Sequence, residues 1–150
     1  MGQSLSQLYV HLTFGTKERY AFISSDWERK LLAFITGIIK NHDSSCIISN
    51  CVEDHVHILF SMSKNYALSK IIENIKKESS KWVKDNIPSC SKFSWQTGYG
   101  GFSVSSSKLE VVKRYIENQK EHHKKLSYQE EVKMFFKEYN LEYNPEYYWR

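Results

Sequence analysis

Two histidines spaced two residues apart interrupt an apolar run, Glu53-Asp54-His55-Val56-His57-Ile58-Leu59-Phe60, and no other stretch constrains the chain as much. In an extended strand, side chains alternate faces and the chain rises about 3.3 Å per residue, so His55 and His57 stand on one face, roughly 6.6 Å apart at their roots. Val56, Ile58 and Phe60 fall on the other face. That face commits the strand to a core and fixes its register, while the opposite face offers two nitrogen ligands able to converge on one ion. Two ligands do not close a metal site, and such short motifs recur by chance.

A second stretch, Arg114-Tyr115-Ile116-Glu117-Asn118-Gln119-Lys120-Glu121-His122-His123, has the complementary chemistry. On a helix Tyr115 and Gln119 are one turn apart on the same face, so a phenol and an amide oxygen can address the same point as the histidines. The plainer reading places Tyr115 at the edge of an apolar stripe formed by Leu109, Val112 and Ile116. His122 and His123 read as surface groups that compensate the helix dipole, and His42 as a helix-end residue without a functional role.

The rest of the chain predicts an α+β fold. Residues 8–14 alternate as a first strand ended by Gly15-Thr16. Ser25-Asp26-Trp27-Glu28 has capping-box spacing ahead of a helical run from Leu31 to Ile39. Residues 46–52 form a hairpin with the histidine strand through a turn at Glu53-Asp54, where Asp54 could touch a metal or orient His55, the plainer reading being an ordinary turn carboxylate. A helix from Leu68 past Val83 carries Lys70, Lys77, Lys81 and Lys84 along one surface, with Lys76 beside them; it ends at Asn86-Ile87-Pro88. Such a stripe suits phosphate, although Glu73 and Glu78 could equally neutralise a solvated face. Residues 93–96 and 102–104 read as strands around Gly98-Tyr99-Gly100-Gly101, and Ser105-Ser106-Ser107 as a joint on which the Tyr115 helix could swing. A further helix around residues 130–138 precedes the rings Tyr143, Tyr147, Tyr148 and Trp149, expected to pack on the body or on a second subunit. The order β-α-β-β-α-β followed by helices is the ferredoxin-like, split βαβ arrangement: an antiparallel sheet with helices on one face and an additional C-terminal tyrosine-bearing helix.

Composition bounds the function without choosing it. A length of 150 residues predicts one domain spanning 1–150, and a formal charge of +4 permits a polyanionic partner without demanding one. Cys46, Cys51 and Cys90 are odd in number and lack metal-knuckle spacing, as expected for reduced thiols in the cytoplasm. No run is long and apolar enough for a membrane span, and no Walker-type glycine loop points to a nucleotide cofactor.

Four segments in order carry a more specific signal: Tyr9-Val10-His11-Leu12-Thr13-Phe14-Gly15-Thr16-Lys17-Glu18-Arg19; His55-Val56-His57; Trp95-Gln96-Thr97-Gly98-Tyr99 with Phe102-Ser103-Val104; and Tyr115-Ile116-Glu117-Asn118-Gln119. Together they resemble the single-tyrosine HUH transposases (TnpA type, IS200-like) of the smallest bacterial insertion sequences and their repeat-associated relatives. The resemblance covers nearly the whole chain, including its tail from Tyr128 to Tyr143.

The resemblance implies a metal-dependent transposase that cleaves and rejoins single-stranded DNA at hairpin-marked ends through a 5′-phosphotyrosine. Tyr115 would be the nucleophile, with Mg²⁺ or Mn²⁺ held by His55, His57 and Gln119; ligand preference alone would equally allow zinc. Lys17, Arg19, Lys76, Lys77, Lys81 and Arg114 would contact nucleic acid. A homodimer, with the tyrosine of one subunit against the histidines of the other, is a further implication. The rival is a noncatalytic or domesticated hairpin-binding protein, for which the combination of His55, His57, Tyr115 and Gln119 has no use.

Overall fold

Alternation of apolar side chains along the strands decides the layering. The computed structural model describes residues 2–149. Strands β1 (Tyr9–Gly15), β2 (Ser45–Val52), β3 (His55–Ser61) and β4 (Gly100–Val104) form an antiparallel sheet in the order β2-β3-β1-β4. Between them run α1 (Glu28–Asn41) and α2 (Leu68–Asn86), and after β4 come α3 (Leu109–Glu117), α4 (Gln119–His123), α5 (Tyr128–Glu138) and α6 (Pro145–Tyr148). This is the split βαβ order expected from the sequence.

Val10, Leu12 and Phe14 of β1 and Val56, Ile58 and Phe60 of β3 share one face. They pack with Leu31, Ile35 and Ile39 of α1 and Ile71, Ile72, Ile75 and Val83 of α2. Each such side chain contributes about 1.5–3 kcal/mol on burial, so this layer is the anchor of the fold. The opposite face carries His11, Thr13, His55, His57 and Leu59, all at most 2 % exposed. Helix α3 packs on β2 and β3 here through Ile116, Leu59 and Val104. Helices therefore cover both faces, and the tyrosine helix belongs to the second layer.

Four local expectations are corrected. Helix α1 starts without a capping box: its N-terminal residue Trp27 makes no side-chain cap, and the Ser24 carbonyl accepts from the Trp27 and Glu28 N–H groups instead. Packing of the buried Trp27 ring against Phe93 and Trp82 fixes this end. Residues 93–96 are not a strand; only Thr16 and Trp95 form a bridge. The partner chain turns away at once, with Glu18 and Arg19 both left-handed (φ 56° and 57°), so the ladder cannot continue. The serine joint is a short 3₁₀ turn at Ser106–Lys108 running directly into a docked α3, not a loose hinge. Finally, Tyr115 and Gln119 are not on one continuous helix, because Asn118 (φ −93°, ψ 19°) separates α3 from α4.

Helix α5 opens with a reciprocal capping box between Ser127 and Glu130 and buries Tyr128, Glu131, Val132 and Phe136. The tail folds back on it, with Tyr143 and Tyr148 against Phe136 and Trp149 against Tyr128, as the packing expectation required. The side chain of Tyr147 lies outside the described residues. Among the described residues no helix is long and apolar enough to cross a membrane.

Candidate active site

The centre of the site is set by β3, flanked by β1 and β2 and roofed by α5. His55 and His57 are fully buried, their ring centroids 5.2 Å apart. Each is oriented by a neighbour on its far nitrogen. His55 Nδ1 lies 2.7 Å from Asp54 Oδ1, so the turn carboxylate accepts its proton and leaves Nε2 free. His57 Nδ1 lies 2.8 Å from His11 Nε2, and the tautomer in which His57 donates there frees its own Nε2. Sheet register makes this second contact: Thr13 pairs with His57, which puts His11 on the diagonal of the same face. Burial, then the neighbouring His57, hold His11 down at about 3, so it stays a neutral acceptor.

Glu131 of α5 completes the cluster. His55, His57 and Glu131 bring their ligand atoms within 4.8 Å of one another, and these three buried residues can hold a metal ion. Glu131 Oε1 approaches His57 Nε2 to 2.5 Å, yet neither atom has an aligned hydrogen bond. Burial alone would raise the Glu131 carboxyl, but His57, His55 and the Tyr115 hydroxyl outweigh it and hold the group at about 2. Burial lowers His57 against the pull of Glu131. A neutral imidazole beside an ionised carboxylate is the state a cation requires.

Gln119 is buried and aims its amide at the same point: Nε2 donates to Glu131 Oε2 at 3.0 Å and lies 3.3 Å from His55 Nε2, while Oε1 has no partner. Two orphaned polar atoms, His57 Nε2 and Glu131 Oε1, thus face one another at a buried point bordered by the Gln119 amide, and a divalent metal would satisfy both. A further grouping of Asp54, His55 and His123 shares His55, whose Nδ1 already donates to Asp54; His123 bonds to Glu53.

Tyr115 stands beside this centre in its own chain. Its ring meets His57 edge-on at 5.9 Å and stacks on His122 at 4.5 Å. Burial, then the Glu131 carboxylate, push its phenol well above the ordinary value. It lines a cavity of about 330 Å³ with His11, Val112, His122, Glu131 and Phe135.

The expected nucleic-acid contacts are dispersed. Lys77 and Lys81 are exposed on α2, across the sheet from the histidines, and Lys81 pairs with Asp85. Lys17 lines a cleft with Tyr20, Phe22 and Lys92; the Arg19 guanidinium covers the Trp149 ring; Arg114 is exposed on α3. Lys76 has a different task. Its Nζ donates to the carbonyls of Gln96, Thr97 and Gly98 at 2.7–3.0 Å, pinning the loop before β4. All three of its donors are thereby committed to that loop.

The family model for IS200-like transposases matches residues 4–119. The chain belongs to the IS200-like transposase family. Two solved structures share the fold of this family member. One is a protein assigned as a transposase in Deinococcus radiodurans R1, with TM-score 0.65 and 20% identity, covering 79% of this chain and 96% of that one. The other is a REP-associated tyrosine transposase bound to a REP hairpin, with TM-score 0.61 and 14% identity, covering 82% and 74%. No curated relative matches the chain closely enough to count.

Glu131 lies beyond the matched segment, and sequence reasoning missed it. A signal existed: on the stripe Tyr128, Val132, Phe135 and Phe136, position 131 faces inward, and an acid on an apolar stripe needs a partner.

Proposed function

We propose that this transposase-family chain cleaves and rejoins single-stranded DNA at hairpin-marked sites, with Tyr115 as nucleophile. The observation that carries the reading is convergence: within one chain the Tyr115 ring is 5.9 Å from His57, beside the carboxylate of Glu131 and the amide of Gln119. His55, His57 and Glu131 would hold a divalent cation, Mg²⁺ or Mn²⁺, with the Gln119 amide oxygen as a further ligand. Such an ion supplies Lewis-acid polarisation of the scissile phosphate and lowers the cost of phenolate character at Tyr115.

The residues then act in order. Tyr115 Oη attacks phosphorus, its proton passing to solvent through the cavity mouth, because a carboxylate held at about 2 is a weak base. An oxygen–phosphorus bond to tyrosine forms as the bond to the 3′ oxygen breaks, leaving a 5′-phosphotyrosine and a 3′-hydroxyl. Attack by another 3′-hydroxyl reverses the step with no external energy source. His11 and Asp54 hold the imidazoles in the required tautomers throughout. Lys77 and Lys81, on the far layer, would engage a different part of the nucleic acid from the strand at Tyr115.

A 5′-labelled and a 3′-labelled hairpin oligonucleotide, incubated with Mn²⁺, test the reading. Strand cleavage and metal-dependent rejoining are expected, both lost in Tyr115→Phe. Hairpin binding by wild type and variant alike, with no cleavage under Mg²⁺ or Mn²⁺, would replace the reading with that of a noncatalytic hairpin binder.

A further inference from the structure

The last turn of α3 holds a polar contact that the cleavage reading does not use. A helix end leaves backbone carbonyls without intrahelical donors. Here the carbonyls of Ile116 and Glu117 accept from the side-chain amide of Asn50 on β2, at 3.0 and 3.2 Å. The amide is itself oriented, because Asn50 Oδ1 accepts from the Cys51 N–H at 2.9 Å. Lys120, just past the break, adds a second tie, donating to Glu28 at 2.8 Å and to the Cys51 carbonyl at 3.2 Å.

The placement of Asn50 gives these bonds their meaning. It is paired directly with His57 across β2 and β3, so the two side chains stand on one face of the sheet. Tyr115 lies immediately before the two captured carbonyls, and Gln119 lies two residues after them. A single cross-strand pair therefore holds the imidazole on one strand and the nucleophile's helix on the other. The neighbouring surface under α3 is apolar, with Ile48, Leu59 and Val112, where packing alone would be served by an apolar side chain.

We propose that Asn50 is a positioning residue that sets the distance and angle of Tyr115 relative to His57. The proposal rests on the reading of Tyr115 as nucleophile. Two partly exposed hydrogen bonds add little to the stability of a domain, whereas misplacing a reacting group by about 1 Å slows reaction about 100-fold. Positioning and general support are thereby separable.

The test uses Asn50→Asp, which keeps the shape but removes both donors, with Asn50→Leu as an uncharged second variant and Asn50→Gln to return a donor on a longer arm. Fluorotyrosine placed at position 115 reports its surroundings by fluorine NMR in the metal-free protein. The expected result is a 10- to 100-fold slower single-turnover adduct rate for Asp and Leu, hairpin and Mn²⁺ affinities within about twofold, a moved fluorine resonance, and partial recovery in Gln. An unchanged rate and resonance would overturn the proposal, as would a rate loss matched by equal losses of melting temperature and metal affinity. If wild type itself forms no adduct, the cleavage reading fails, while the fluorine resonance still decides whether Asn50 places Tyr115.

Discussion

Tyr128 lies flat on His55, with ring centroids 4.1 Å apart and planes inclined by 16°. Thr13 Oγ1 donates to the Tyr128 hydroxyl at 3.2 Å, fixing the ring over a fully buried histidine. Helix α5 thus both supplies Glu131 and roofs the centre, so loosening that roof should ease the entry of a metal ion. Tyr128→Leu keeps apolar bulk but removes the stack, worth about 0.5–1.5 kcal/mol. Stopped-flow Mn²⁺ loading is expected to accelerate severalfold with a modest fall in melting temperature. Unchanged loading would show that entry does not pass α5.

Glu131 is expected to dominate cation binding. Glu131→Gln removes the only carboxylate in the buried trio and should cost Mn²⁺ affinity more than Asp54→Asn, which only releases His55 and is expected to cost about 10- to 100-fold. Titration calorimetry on the two variants checks the order. Equal affinities for Glu131→Gln and wild type would remove α5 from the site.

Cys51 gives a test of how α1 packs on β2. Burial, then the Glu28 carboxylate, push its thiol up to about 12 from an ordinary 9.0. At pH 8.5 the reactive thiolate should be about 1000-fold scarcer than in the unfolded chain, so iodoacetamide labelling is slow until the fold opens. The folded state retains this proton while the unfolded thiol loses it. Stability should therefore fall between pH 9 and 12, by about 1.4 kcal/mol per pH unit for this group. Labelling of the native protein at the unfolded rate would contradict the docked arrangement.

The structure brings Tyr115 to the histidines of its own chain, so complementation between subunits is not expected. A mixture of Tyr115→Phe and His57→Gln should form no more covalent adduct than either variant alone. Restored adduct in the mixture would establish the exchanged, dimeric arrangement implied by the sequence resemblance.

Residues whose placement depends on local period were legible. His55, His57 and the packing face behind them follow from alternation along one strand, and Tyr115 and Gln119 from helical spacing, even though Asn118 breaks the helix between them. What depended on tertiary register was not. His11 reaches His57 only because β1 lies beside β3, and Glu131 arrives on a separate helix 12 residues after Gln119. Lys76 looked like part of an exposed stripe. It lies one turn after Ile72 and beside Ile75, at the edge of the buried face, where its ammonium sits over the Phe14 ring and finds carbonyls.

Mass spectrometry of the denatured, nuclease-trimmed reaction of the protein with a hairpin-bearing single strand and Mn²⁺ tests the central claim most directly. The account predicts a nucleotide remnant on the peptide containing Tyr115, and on no other tyrosine. A remnant on another residue, or cleavage with no covalent remnant at all, would contradict it.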